Sequence, residues 1–313
     1  GGAGLHWTGM ITRPTPVDLK MKTYADAHFK RGELDEELRI EDFPVSWEEI
    51  EPHMDFFDKV CGSSGETGNL RGEIQQGGDP FEGARSSAFP NRPLEDSLNA
   101  TMFRKATQEM GYHPYSMPSA AVSVPYTNPY GQQIAPCNYC GFCQFYSCLN
   151  YSKATPQTAI LDRLKQFKNF NYKTRANVIR VEKHADGKTA TGVTYIDENG
   201  DEIFQPASIV ILSTFGLNNV RLLLNSSIGK PYNPITEEGV IGRNYTHQYG
   251  GGFTLFFDDL EFNPFATAGP TGTVISDFGT GNIDTAALGF IGGAKIYSSQ
   301  PTGTPMAAPV RKD

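Results

Sequence analysis

The sequence predicts a mixed α/β chain of the α+β kind, in which helices accompany an antiparallel β-meander. The first observation is a series of segments that alternate apolar and polar residues, at 178–182, 191–196 and 202–205. Asp-Gly and Asn-Gly pairs at 186–187 and 199–200 separate these segments and are typical of hairpin turns. The second observation is a continuous apolar run at 208–212, which predicts a buried parallel strand before a helix at 217–225.

A third observation is a helix predicted to begin at Ser46, because Ser46 and Glu49 form a capping box. Helical spacing predicts that its inward face consists of Trp47, Ile50, Met54 and Phe57. Pro52 should kink or restart the helix, since proline donates no backbone hydrogen bond. Cys61 ends the helix beside Gly62, and we interpret its thiol as buried and structural.

Two further helices are predicted from their start and stop signals. One is capped by Asp96 or Ser97 and ends at Gly111. Its inward positions are predicted to be Leu98, Met102, Ala106 and Met110. The other begins at Thr155-Pro156, where a cap is followed by proline at the first helical position. Its buried face is predicted to be Ile160, Leu161, Leu164 and Phe167.

Composition limits the class of protein. The 313 residues are enough for about two domains, and we place a domain change near residue 250, where new β-like segments begin and continue to Tyr297. A net charge of −8 argues against a nucleic-acid backbone as partner. No apolar run reaches about 18 residues, so no membrane span is predicted. The chain opens with Gly1-Gly2-Ala3-Gly4, without an initiator methionine or a leader, and we expect a piece of a longer protein.

Four of the 5 cysteines lie in one short loop with the spacing C-x2-C-x2-C-x4-C: Cys137, Cys140, Cys143 and Cys148. The first spacings resemble a bacterial ferredoxin run, which favours an iron–sulfur cluster. Structural zinc, the first alternative, usually needs two separated pairs of ligands. Disulfides or free thiols are the second alternative, although the shortest pairs would close very small loops. The spacing does not decide between three and four ligands.

Aromatic residues alternate with these cysteines and are predicted to form an apolar shell that keeps water from a cluster: Tyr139, Phe142, Phe145, Tyr146 and Tyr151. Three glycine turns also point to a ligand. The opening residues 1–9 could lie flat against a planar group. The small-residue turn at 213–216 precedes a helix and suits a phosphate or dinucleotide edge. A third turn, 239–244, carries a charged and an amide side chain.

Together these stretches resemble the glucose–methanol–choline (GMC) flavin oxidoreductases, and the branch with the large subunits of gluconate 2-dehydrogenase and of fructose and sorbitol dehydrogenases in particular. The matching pieces are GGAGLHWTG, C-x2-C-G-F-C-x4-C with A-T-P after it, VIRV, STFGLNNVRLLLNS and IGRN. The resemblance implies FAD in an extended pose. The FAD-binding residues would be Gly1, Gly2, His6, Trp7, Thr8, Gly9, Val178, Thr214, Gly216, Gly242, Arg243 and Asn244.

The resemblance also implies details of both cofactors. His6 lies where some members bond the flavin covalently, and the backbone of Val178 would meet adenine. A three-iron (3Fe-4S) cluster on Cys137, Cys143 and Cys148 is favoured, with a four-iron (4Fe-4S) cluster that includes Cys140 as the alternative. His247 follows the glycine turn of the family pattern, but the resemblance does not make it the catalytic base.

The family pattern places a first βαβ unit before Gly1 and the catalytic histidine after Asp313, so the catalytic residues are unknown and the fragment alone should be inactive. The implied domains are an FAD-binding segment (1–15), a cap or substrate-side segment (16–130), the cysteine-rich cluster loop (131–155), the FAD-binding domain (156–249) and the start of a β-sheet substrate-binding domain (250–313).

The implied function is oxidation of a sugar acid, sugar or polyol by hydride transfer to FAD. Electrons would leave through the cluster to a cytochrome or quinone acceptor. A cytochrome c subunit and a small subunit are the implied partners, in a periplasmic complex held at the membrane by a partner. The alternatives are a zinc- or disulfide-stapled binding protein without redox function and a GMC oxidase that uses oxygen.

Overall fold

The computed structural model describes residues 2–30, 32–35, 38–263 and 266–298. Its contacts divide the chain into two units, Gly1–Lys168 with Thr254–Asp313 and Asn169–Phe253. The helices are α1 (Ala3–His6), α2 (Met21–His28), α3 (Trp47–Cys61), α4 (Leu98–Glu109), α5 (Asp162–Leu164) and α6 (Gly216–Asn225). A 3₁₀ turn (Asp18–Lys20) precedes α2, and a π-helical turn (Gln157–Leu161) precedes α5.

The strands are short and pair only in antiparallel fashion: β1 (Asn69–Leu70), β2 (Glu73–Ile74), β3 (Tyr115–Ser116), β4 (Tyr126–Thr127), β5 (Gln133–Ile134), β6 (Asn177–Lys183), β7 (Ala190–Ile196), β8 (Glu202–Pro206), β9 (Thr273–Ile275) and β10 (Ile296–Ser298). Helices and antiparallel strands together confirm the predicted α+β class. Within the described part of the chain, no helix has both the length and the apolar character needed to cross a membrane.

The larger unit is organised around a buried central segment, residues 117–122. Ser119, Ala120 and Val122 are completely buried. The amide of Ala120 donates to the carbonyl of Gly9 at 2.8 Å, and the amide of Val122 donates to the carbonyl of Ser152 at 3.2 Å. The segment therefore joins the start of the chain to the residues that follow the cysteines. A sheet with the order β10-β9-β3 continues from it.

The bounds of α3 match the prediction, but its predicted inward face is only partly right: Trp47, Ile50 and Met54 are half-buried. Phe57 is 52% exposed, and Pro52 lies inside one uninterrupted helix rather than restarting it. The residues that α3 buries are Glu51, Asp55, Asp58 and Cys61. The prediction that Cys61 is a buried thiol is confirmed, and burial raises its pKa to about 12.

Carboxylates can occupy the buried face of α3 because two arginines reach them. The Asp58 carboxylate forms ion pairs with Arg13 at 2.8 Å and with Arg85 at 2.7 Å. All three side chains are nearly inaccessible to water. The Glu51 carboxylate forms an ion pair with Arg13 at 2.9 Å and accepts a hydrogen bond from the Ser86 amide at 3.0 Å. Burial opposes ionisation of Glu51, but these donors leave its pKa below the usual value. We call Arg13, Glu51, Asp58 and Arg85 the buried ion network.

We expect Ser46→Ala to lower the free energy of unfolding by about 1 kcal/mol, because it removes an N-terminal cap. The Ser46 hydroxyl accepts from the Glu49 amide at 3.2 Å, and the Glu49 carboxylate accepts from the Ser46 amide at 2.7 Å. Ser97→Ala is the matched control, because Ser97 precedes α4 without capping it. Urea denaturation measures both variants, and equal losses would contradict the capping role of Ser46.

The inward faces predicted for the other two helices are also partly wrong. Along α4, Leu98 is 48% exposed and Met110 68% exposed, whereas Ala100 and Thr107 are buried. Where α4 contacts β9, the Thr273 hydroxyl donates to the carbonyl of Ala100 at 2.9 Å. Phe167, predicted to be buried after Thr155-Pro156, is also exposed, because the helix there begins with a π-helical turn and ends at Leu164.

The smaller unit contains the predicted meander, with the order β6-β7-β8. Gly187 and Gly200 adopt positive φ in the two predicted turns, at 69° and 91°. The α6 helix packs on β6, where the Val181 amide donates to the Ser226 hydroxyl at 2.8 Å. The strands, their turns and the helix are all confirmed.

Two predicted strands are wrong. Residues 208–212 form no strand, and Ile209 and Ile211 are 77% and 81% exposed. Residues 250–257 likewise form no strand in the described chain and are exposed. Apolar or alternating sequence creates a strand only where another strand pairs with it, and no described segment pairs with either stretch.

Candidate functional site

The glycine-rich segment, residues 2–9, begins with the single turn of α1 and continues as extended backbone. Gly9 is buried at a φ of 90°, and a side chain added there would meet the stem of Lys153 at 3.3 Å. Gly2 adopts a φ of 135°, whereas Gly1 lies outside the described residues. His6 is exposed and therefore accessible to a ligand. The geometry explains why glycine is needed at position 9.

A buried lysine joins the glycine-rich segment to the cysteine loop, residues 137–148. Lys153 is 1% exposed, and its ammonium Nζ donates to four backbone carbonyls. Two belong to the glycine-rich segment, Trp7 at 2.6 Å and Leu5 at 3.2 Å. The other two belong to the cysteine loop, Cys143 at 2.7 Å and Tyr146 at 3.0 Å. Burial lowers the pKa of Lys153, and the neighbouring thiols oppose this effect.

One further hydrogen bond joins the glycine-rich segment to the cysteine loop, and another joins it to Ala154, beyond the loop. The Phe145 amide donates to the carbonyl of His6 at 2.8 Å. The indole Nε1 of Trp7 donates to the carbonyl of Ala154 at 3.1 Å. Trp7 also packs against a core cluster that contains Ala120 and Ala154. The structure therefore brings together the predicted site residues His6, Trp7 and Gly9 with the cysteine loop.

The cysteine loop presents thiols rather than disulfides, since all five cysteines are free. Cys143 accepts a hydrogen bond from the Gly269 amide at 3.2 Å, and Cys137 accepts one from the Tyr139 amide at 3.4 Å. Both side chains belong to a core cluster with Leu94, Ala121 and Ala268. Burial raises the pKa of Cys137 to about 11 and raises that of Cys143 as well.

The donor chemistry of the loop fits a cluster ligand, because two backbone N–H groups point at sulfur and such bonds accompany iron–sulfur ligation. Among the described residues, however, no group of three or more His, Cys, Asp or Glu side chains is placed to hold a metal ion. The metal role of Cys137, Cys140, Cys143 and Cys148 therefore stays a prediction.

The predicted aromatic shell is wrong for most of its members. Phe145 is 64% exposed, Tyr151 67% and Tyr146 40%, and Phe145 and Tyr151 adopt positive φ. Tyr139 does pack against the core cluster that contains Cys143 and Cys137, and its hydroxyl accepts from the Glu95 amide at 2.9 Å. The alternation of aromatic residues with cysteines in the sequence does not reveal which of these side chains face inward.

The site residues predicted in the smaller unit lie in two turns and one strand. Thr214 is held by Asn219 Oδ1, which accepts from its amide at 2.9 Å and from its hydroxyl at 2.7 Å. Gly216 is the first residue of α6, and Val178 lies in β6. Asn219 was not predicted from the sequence. An asparagine in the first turn of a helix, after Thr214 and a glycine, is the signal that could have indicated it.

The last predicted turn is closed by hydrogen bonds of its own. Gly242 and Asn244 adopt positive φ, at 91° and 55°. The guanidinium of Arg243 donates to the carbonyl of Glu237 at 3.3 Å and lies 5.1 Å from the ring centre of Tyr232. Arg243 is therefore already fixed by its neighbours, and the cofactor roles of these residues remain predictions.

Comparison with known proteins adds evidence that the geometry does not contain. A family model described as GMC oxidoreductase matches residues 54–249. The gluconate 2-dehydrogenase flavoprotein of Pantoea cypripedii is 43% identical over 98% of this chain and 51% of that protein. The 2-methyl-1,2-propanediol dehydrogenase of Mycolicibacterium austroafricanum is 27% identical over 79% of this chain and 40% of that protein.

Among solved structures, an FAD-dependent oxidoreductase from Chaetomium thermophilum shares 18% identity and a TM-score of 0.42, over 73% of this chain and 34% of that one. The chain spans about half the length of the curated relatives it matches. The family model covers more than half of the chain, and the predicted resemblance is confirmed. The chain belongs to the GMC oxidoreductase family.

Proposed function

We propose that the full-length protein is an FAD-dependent dehydrogenase that oxidises a CH–OH group of a sugar acid, sugar or polyol. Membership of the GMC family supports FAD as the cofactor. The name of the first relative, a gluconate 2-dehydrogenase flavoprotein, supports a gluconate-like substrate and an acceptor other than oxygen. When bound, FAD supplies the hydride acceptor, and the protein orients the substrate carbon against it.

The observation that carries this proposal is the direct attachment of the glycine-rich segment to the cysteine loop. Lys153 bridges the two through four carbonyls, and the Phe145 amide reaches the carbonyl of His6 at 2.8 Å. A flavoprotein that passes electrons to a second centre needs the two sites close together. Here the segments that carry the residues predicted for the two sites are hydrogen-bonded to each other, directly and through Lys153.

The chain contributes backbone and a few side chains to the cofactor. In the glycine-rich segment, Trp7 is anchored by its indole and Gly9 provides a surface without a side chain. In the smaller unit, Asn219 fixes the turn at Thr214 before the N-terminus of α6, where backbone N–H groups suit a phosphate. Gly242, Arg243 and Asn244 would close over the dinucleotide.

The cysteine loop would hold an iron–sulfur cluster, with 3Fe-4S favoured on Cys137, Cys143 and Cys148 and with 4Fe-4S, including Cys140, as the alternative. The N–H groups of Tyr139 and Gly269 support this assignment, because they stabilise negative charge on sulfur. A bound cluster supplies one-electron transfer to a cytochrome or quinone. Leu94, Ala121 and Ala268, which pack with Cys143 and Cys137, would shield one side of it from water.

Partners and location follow from the family resemblance. We propose a cytochrome c subunit and a small subunit as partners, in a periplasmic complex held at the membrane through one of them. Cofractionation of the full-length protein with a haem subunit after mild detergent extraction tests this assignment. Recovery of the protein alone, in the cytoplasmic fraction, would contradict it.

We expect the full-length protein, purified anaerobically, to contain flavin, iron and acid-labile sulfide and to give an electron paramagnetic resonance signal. Cys143→Ser should abolish the signal and most of the iron while leaving flavin bound. Cys61→Ala is the matched control, because this cysteine lies outside the loop and should leave the iron unchanged. Gluconate or a related polyol should bleach the flavin absorbance without oxygen.

The other outcomes separate the alternatives. Zinc in place of iron, in a colourless protein, would indicate the stapled binding protein. Peroxide formation under air, with no effect of Cys143→Ser on turnover, would indicate an oxidase. Less than one iron atom per chain together with no paramagnetic signal would remove the cluster from the proposal but not the flavin.

A further inference from the structure

Large apolar side chains of the cysteine loop and of the residues just after it are exposed to water. Leu149 is 91% exposed, Tyr151 67% and Phe145 64%, and Tyr146 and Phe142 are 40% and 38% exposed. Single exposed apolar residues are ordinary, but a concentration of them marks a binding surface. Here all lie within residues 142–151, and the rings of Phe142 and Tyr146 meet edge to face at 5.7 Å. We call these side chains the loop surface.

The loop surface belongs to a long part of the sequence that carries no charge. Charged residues make up 20% of the chain, yet none occurs between His113 and Lys153. The buried centres of protein–protein interfaces have this composition, because they are depleted of charge and enriched in aromatic side chains. A membrane suits the loop less well, since surface-bound proteins use Lys and Arg beside anionic lipids and this chain has a net charge of −8. The composition favours a protein as the occupant.

The backbone beneath the loop surface is held by hydrogen bonds. The Phe145 amide donates to the carbonyl of His6 at 2.8 Å, and the Tyr151 amide donates to the carbonyl of Cys148 at 3.2 Å. Residues 208–212 differ, because they expose apolar side chains where no strand forms. The exposure of the loop surface is therefore not that of a segment without a neighbouring strand, and it favours an occupant from another polypeptide.

Neither backbone conformation nor core packing explains why two of these positions are aromatic. Phe145 and Tyr151 adopt left-handed backbone, with φ of 68° and 56°. This conformation favours glycine, asparagine and aspartate and is unusual for bulky side chains. Each ring is also about two-thirds exposed, so the core does not require it. Aromatic rings presented on a fixed backbone are the anchors that protein interfaces use.

We propose that the loop surface docks the electron-accepting haem subunit, through an uncharged and apolar part of that partner's surface. This inference rests on the proposed function, which supplies the partner. The loop is hydrogen-bonded to His6, which is predicted to contact FAD, so a partner seated here lies beside the flavin-binding segment. A subunit that takes up electrons requires this proximity. The docking role does not depend on a metal at the cysteines.

The haem-to-flavin ratio of the full-length protein, purified after mild detergent extraction, tests the docking. We expect Leu149→Glu to lower this ratio roughly tenfold or more, because it places a charge in the centre of the interface. Ile235→Glu is the matched control, because Ile235 is also 91% exposed but lies in the smaller unit. Tyr151→Asn removes a ring without adding a charge, suits left-handed backbone and should lower the ratio as well. Substrate should bleach the flavin equally in the parent, Leu149→Glu and Ile235→Glu.

Hydroxyl-radical footprinting identifies what covers the loop surface. Leu149 and Tyr151 should be oxidised in the full-length protein expressed without the haem subunit and protected in the complex. Protection without the haem subunit would overturn the proposal, because another segment or a second copy would then cover the loop. Binding of the protein to phosphatidylcholine vesicles that Leu149→Glu abolishes would also overturn it, in favour of a membrane.

The haem measurement separates failure of the docking from failure of the proposed function. A ratio in Leu149→Glu equal to that of the parent would refute the docking alone. A parent protein that contains flavin but no haem subunit would refute the proposed partner and the docking together. Retained haem with a flavin that no substrate reduces would refute the proposed oxidation and leave the docking in place.

Discussion

Replacing Asp58 with asparagine is expected to lower the free energy of unfolding by about 3–5 kcal/mol, the cost of breaking a buried ion pair by removing one partner. Asp58 Oδ2 accepts from Arg13 at 2.8 Å and from Arg85 at 2.7 Å. The side chain of Arg85 is 1% exposed, so water cannot replace the lost carboxylate. The variant would leave a buried guanidinium with its next carboxylate, Glu82, at 3.7 Å.

The effect should distinguish buried from exposed ion pairs. Asp26→Asn is the matched control, since Asp26 pairs with Lys22 at 2.7 Å but both side chains are about half exposed or more. An exposed pair of this kind contributes about 0–1 kcal/mol. Urea denaturation of the full-length protein gives both values. A loss of less than about 1 kcal/mol for Asp58→Asn would contradict the role given to the buried ion network.

The second large effect is expected for Gly68→Ala, which should lower the free energy of unfolding by about 3 kcal/mol or more. A methyl group at Gly68 would lie 2.0 Å from the carbonyl oxygen of Asp79 and 2.4 Å from its amide nitrogen. Backbone cannot rotate away as a flexible side chain can. A methyl group added at Gly78 would likewise lie too close to backbone, 2.3 Å from the Gly68 nitrogen.

Gly72→Ala is the control, because Gly72 lies four residues away and an added methyl group there would have open space around it. Its φ is 91°, but no atom lies within 4 Å of an added methyl group. Gly72→Ala should therefore lower the free energy of unfolding only through backbone strain, by about 1–2 kcal/mol. The yield of soluble protein and the denaturation midpoint measure both variants. A smaller loss for Gly68→Ala than for Gly72→Ala would contradict the close backbone approach.

Local signals in the sequence predicted the elements that depend on local chemistry. The Asp-Gly and Asn-Gly pairs indicated the two turns of the meander, and the capping box indicated the start of α3. The inward face of α3 could not be predicted in this way. Burial of Asp58 depends on Arg85, 27 residues later, and on Arg13, 45 residues earlier. Hydrophobic periodicity contains no information about such partners.

The candidate site, like the fold, was predicted from the sequence only in part. The cysteine spacing and the glycine-rich segment indicated a flavin oxidoreductase, and the family match confirmed that resemblance. Lys153 was not predicted, because its four partners are backbone carbonyls and leave no trace in side-chain patterns. The apolar run at 208–212 was misinterpreted for the opposite reason. Its composition is that of a buried strand, but pairing depends on a neighbour that the sequence pattern does not specify.

The bond from Trp7 to Ala154 spans 147 positions along the chain. During synthesis on the ribosome, Trp7 therefore cannot reach this partner until the polypeptide has grown past Ala154. Contacts between such distant parts of a chain form slowly, because a long loop must close first. The glycine-rich segment thus leaves the ribosome well before it can reach its final position.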